Sequence, residues 1–120
     1  MRIQHFAALT GLTAHTLRYY EKIGLLAPDR NSSGHRDYRE ADVSWVAFIL
    51  RLKATDMPLE EIQRYAALRA AGDATASARR KLLAQHADRL ERRLAEQQTH
   101  LALLKEKMAY YDSVLIKNSA

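Results

Sequence analysis

A mainly α fold, in which a winged helix-turn-helix head carries a long C-terminal coiled-coil dimerisation helix, is what three features of these 120 residues predict. Two short amphipathic segments meet at a glycine turn near the N-terminus. A basic stretch rich in turn formers follows them. From residue 74 onward there is neither glycine nor proline, and apolar residues recur at heptad spacing. The head is placed at residues 1–72 and the dimerisation helix at 73–120.

In the first helix Ile3, Phe6, Ala7 and Leu9 repeat at helical spacing, and Gly11 closes it by supplying the left-handed residue a helix end favours. Thr13 is the predicted N-cap of the second helix, whose core face is Leu17 and Ile23 and which ends near Gly24. Residues 27–39 hold Pro28, Asn31, Ser32, Ser33 and Gly34 between short segments able to pair, and are read as a wing. Helix three is expected from about Glu40 to Thr55, with Val43, Val46, Ile49, Leu50 and Leu52 apolar. Pro58 opens helix four at a first-turn position, where a missing N–H does no harm, and that helix ends near Gly72.

The last segment, about Thr75 to Val114, has the clearest period. Leu83, Ala87, Leu90, Leu94, Gln97, Leu101, Leu104, Met108, Tyr111 and Leu115 alternate steps of four and three. That is a coiled-coil seam. About 37 helical residues make a rod of roughly 55 Å, too long to bury its seam on the small head, so a second copy is expected as partner. Gln97 is expected to set register or orientation within that seam.

Function follows from what the second helix and the wing expose. With Leu17 inward, His15, Thr16, Arg18 and Tyr19 point to solvent, a set suited to base edges and phosphates. Arg30, His35, Arg36 and Arg39 surround the wing turn, and Lys53 near the end of helix three is a further phosphate candidate. The net charge of +5 suits such contacts without requiring them.

The exclusions are firmer. With no cysteine, disulfides, thiolate metal sites and thiol switches are impossible. No histidine lies three or four residues from another, so no helical metal pair exists, and neither metal nor cofactor is expected. No nucleophile, carboxylate pair or phosphate loop stands at recognisable spacing, so the chain is not read as an enzyme. Met1 to His5 leads straight into amphipathic sequence and no stretch reaches the roughly 20 apolar residues of a membrane span, so a cytoplasmic protein is expected.

The segment Thr16-Leu17-Arg18-Tyr19-Tyr20-Glu21-Lys22-Ile23-Gly24-Leu25-Leu26 resembles the recognition helix and turn of the MerR family of transcriptional regulators. Gly34-His35-Arg36-Asp37-Tyr38 with Asp42 is similar to that family's wing and third helix, and residues 53–62 to its entry into helix four. The likeness runs through the heptad helix. It implies DNA contacts from Thr13, His15, Thr16, Arg18, Tyr19, Tyr20, Arg36, Tyr38 and Lys53, and dimerisation through Leu83, Leu90, Leu94, Leu101, Leu104 and Met108. His15 stands where relatives often carry Arg or Lys, and Asp56 where they usually carry Gly.

It further implies a homodimer, paired through an antiparallel coiled coil, on a palindromic operator in double-stranded promoter DNA. Bending and untwisting an overlong spacer would then realign the promoter for RNA polymerase. Within the family the chain looks like the short, aldehyde- and thiol-stress-responsive subgroup, but Arg51 stands where that subgroup's cysteine falls. The effector is unknown: a non-covalent ligand or none. Two rival readings stay open, a coiled-coil adaptor that binds protein without DNA specificity, and a non-specific architectural DNA binder.

Overall fold

The computed structural model describes residues 1–119, in the order α1 (Ile3–Thr10), α2 (Ala14–Lys22), β1 (Asp29–Arg30), β2 (Arg36–Asp37), α3 (Glu40–Ala54), α4 (Leu59–Ala70), a 3-10 turn (Asp73–Thr75) and α5 (Ala76–Ser119). The chain falls into two compact units, Met1–Leu83 and the segment from Ala84 onward. No helix among the described residues is long and apolar enough to cross a membrane.

Local chemistry sets the element ends. Gly11 turns left-handed at φ 74° and donates its N–H to Ala7 O at 3.0 Å, which closes α1. The Thr13 hydroxyl accepts the Thr16 N–H at 3.1 Å and caps α2. After α2, Gly24 at φ 83° reverses the chain. Asp42 accepts the Arg39 N–H at 2.9 Å and satisfies an orphan donor at the start of α3. Between α3 and α4, Asp56 takes φ 61°, the one non-glycine in that region among the described residues. The aspartate thus does the work expected of a glycine.

The wing is a two-residue antiparallel ladder pairing Asp29 with Asp37 and Arg30 with Arg36. Its turn is held from inside: Asn31 Oδ1 accepts the N–H groups of Ser33 and His35 at 2.9 and 3.1 Å.

The head's core gathers Phe6, Leu17, Tyr20, Leu25, Leu26, Tyr38, Trp45, Val46, Ile49, Leu52, Met57, Ile62, Ala66 and Leu82. Trp45 donates its indole N–H to Leu25 O at 2.7 Å, and the Arg69 guanidinium lies 4.6 Å from its ring centre. The unit runs past the 3-10 turn into α5: the Thr75 hydroxyl donates to Leu68 O at 2.5 Å, and Arg79 Nε donates to that hydroxyl at 3.0 Å. Leu83, expected in the dimerisation seam, packs half-buried against this core. The heptad pattern continues through it, but the first turns of α5 are held by the head.

Farther along α5 the heptad positions are exposed. Leu94, Leu101, Leu104, Met108, Tyr111 and Leu115 are 50–65% exposed.

Candidate nucleic-acid interface

Helix α2 has two faces because successive residues turn by about 100°. Leu17 and Tyr20 point into the core and are 0% and 3% exposed. His15, Arg18, Tyr19 and Lys22 stand outside, Tyr19 at 50% exposure. Thr16 is half-buried, its hydroxyl accepting from Thr13 at 3.0 Å. Of the expected outward set, His15, Arg18 and Tyr19 are exposed on one helix, while Thr16 is half-buried.

Tyr20 and Tyr38, expected among the DNA contacts, are both buried in the head. The Tyr20 ring is core, and its hydroxyl accepts from Lys53 Nζ at 3.0 Å, with the ammonium 5.1 Å from the ring centre. Tyr20 thus seats Lys53, whose side chain stays exposed beside α2. Tyr38 is 1% exposed and stacked on Phe6, with ring centroids 4.2 Å apart. It joins the wing to α1 as a core residue. Burial also holds its phenol above the usual tyrosine range.

The wing's cations are tied to carboxylates. Arg36 Nε donates to Glu21 Oε2 at 2.6 Å, and the Arg36 guanidinium is held above its ordinary pKa by that hydrogen bond and charge. Arg30 lies 3.9 Å from the other oxygen of Glu21 and donates to Gly34 O at 3.0 Å. Arg39 pairs with Asp29. Arg30 and Arg36 also line a small cleft of about 110 Å³ with Arg2, Ile3 and His35.

Sequence reasoning missed Glu21 and Arg2. Glu21 sits fifteen residues from Arg36, a separation carrying no helical or strand signal, and only the folded wing brings the pair together. Among the described residues, no group of His, Cys, Asp or Glu is arranged to hold a metal ion.

A family model described as MerR HTH family regulatory protein matches residues 1–68, and one described as MerR, DNA binding matches residues 43–109. The Bacillus subtilis (strain 168) protein named HTH-type transcriptional regulator AdhR is 43% identical over 91 residues. That match covers 75% of this chain and 65% of the relative, so the chain spans just under two thirds of its length. A crystal structure described as a MerR-type regulator of Listeria monocytogenes superposes with a TM-score of 0.87 at 33% identity, over 99% of this chain and 91% of the other. HiNmlR, described as a MerR family regulator lacking the sensor domain and bound to promoter DNA, gives 0.77 at 33% identity, over 93% and 90% of the two chains.

Proposed function

This chain belongs to the MerR family of DNA-binding transcriptional regulators, and on that premise we propose that it acts as a homodimer on a palindromic operator and distorts promoter DNA to control transcription. The observation that carries the reading is the outer face of α2, where His15, Arg18 and Tyr19 project from a helix pinned by Leu17 and Tyr20. A side chain reads a base edge only if its helix is held at a fixed depth in the groove. Thr13, Thr16, Arg36 and Lys53 complete the contact set toward phosphates.

The dimer follows from the open apolar side of α5, because six large side chains at half exposure or more are costly in water and are covered by a second copy's matching stripe. Two heads then meet successive grooves of a symmetric site. RNA polymerase at the same promoter is the further partner, the work is on DNA rather than on a bond of a substrate, and the cytoplasm is its location. With no cysteine, any effector binds without covalent thiol chemistry.

The test is selection of duplexes from a randomised pool, then footprinting on the winner. A preferred palindrome bound about 10³-fold or more tighter than scrambled duplex at the same salt supports the reading. Equal affinities would favour the architectural binder, and no binding the protein adaptor.

A further inference from the structure

We propose that Glu21 is a positioning residue for DNA recognition: its carboxylate, on the recognition helix, grips both strands of the wing and so sets the spacing between the two DNA-reading elements. The inference rests on the DNA-binding reading above.

The geometry is a two-point hold. Glu21 Oε2 accepts from Arg36 on β2 at 2.6 Å, while Oε1 lies 3.9 Å from Arg30 on β1. Arg30 and Arg36 are cross-strand partners, so one carboxylate engages both strands at the same rung. Its side chain is only 23% exposed, which limits competition from water.

The hairpin needs such a hold. Strands of two residues do not orient a ribbon by themselves. Asn31 shapes the turn but reaches nothing outside it. The remaining ties lie at the ribbon's base: the buried Tyr38 ring, the Met1 ammonium at 2.7 Å from Asp37, the backbone bonds between Met1 and Tyr38, and the Arg39–Asp29 pair. Glu21 alone among these ties comes from the recognition helix.

Charge makes the argument testable. A carboxylate one turn from Arg18 opposes a polyanion, so deleting it should strengthen every DNA complex if charge were its whole effect. Deletion would also remove the carboxylate that offsets the charge of Arg30 and Arg36. Positioning predicts a different outcome, because only the sequence-specific complex depends on a fixed wing-to-helix distance.

The experiment compares full-length wild type, Glu21→Ala and Glu21→Gln on two probes, a duplex selected by wild type from a randomised pool and a scrambled duplex of equal composition. For Glu21→Ala, affinity for the selected duplex should fall about tenfold or more, the scale of one lost charge-assisted hydrogen bond. Scrambled-duplex affinity should hold or rise, with the melting temperature unchanged. Glu21→Gln, which keeps a neutral acceptor for Arg36, should fall between. A rise by the same factor on both probes overturns the inference, as does a fall on both that tracks a lost melting temperature. A pool yielding no preferred duplex overturns the DNA-recognition reading and this inference with it, whereas a selected duplex with an unchanged ratio overturns this inference alone.

Discussion

The Tyr38 ring lies flat on Phe6, its plane within 10° of the phenyl plane, and the hydroxyl at its far end meets no hydrogen-bond partner among the described residues. A buried hydroxyl without a partner keeps its desolvation cost and gains nothing in exchange. Tyr38→Phe should therefore leave stability unchanged or raise it by about 1 kcal/mol, read from urea midpoints at neutral pH.

The same burial gives a pH signature. Because the folded phenol titrates above its ordinary value of about 10, the unfolded chain loses that proton first. Stability is whole below pH about 10 and declines as pH climbs toward the folded value. The gap in urea midpoint between Tyr38→Phe and wild type should widen between pH about 9 and 11; a constant gap would mean the folded and unfolded phenols titrate together.

Arg18 and Tyr19 are exposed, so truncating them costs little packing. Arg18→Ala should weaken operator binding by about 1–3 kcal/mol, roughly five- to 150-fold, with an unaltered melting temperature. Unchanged binding by electrophoretic mobility shift would remove α2 from the interface.

Leu94 and Leu101 are 56% and 50% exposed on the seam face of α5. In the proposed dimer, aspartate at both would put like charges into the dry centre of the paired helices. Sedimentation of Leu94→Asp/Leu101→Asp should give monomers without symmetric-duplex binding; a dimer would refute the seam.

Asp56 holds φ 61° between α3 and α4. Alanine tolerates that conformation less well, so Asp56→Ala should cost about 1–2 kcal/mol, while Asp56→Gly should cost little. Equal losses in both variants would assign the effect to the carboxylate's own contacts instead of the backbone angle.

Much of the fold was legible because it is written in local rules. Gly11 and Gly24 at the ends of α1 and α2, Thr13 at a cap, Asn31 and Gly34 in the turn, and the heptad spacing from Leu90 each act over a few residues. The split of Tyr19 from Tyr20 was half legible. Helical period separates neighbouring tyrosines, but the family block had grouped both as DNA contacts, and the core took Tyr20.

What the sequence alone determined is the set of helices and the polar, cationic character of one helix face, since these depend on periods and caps between near neighbours. Tertiary structure alone decided that Tyr38 stacks on Phe6, that Leu83 serves the head, and that Glu21 holds the wing's arginines. Those outcomes join residues 9 to 32 positions apart or select among equivalent apolar residues in one repeat. Such choices are settled by packing in space, where burial and charge pairing outweigh any local pattern.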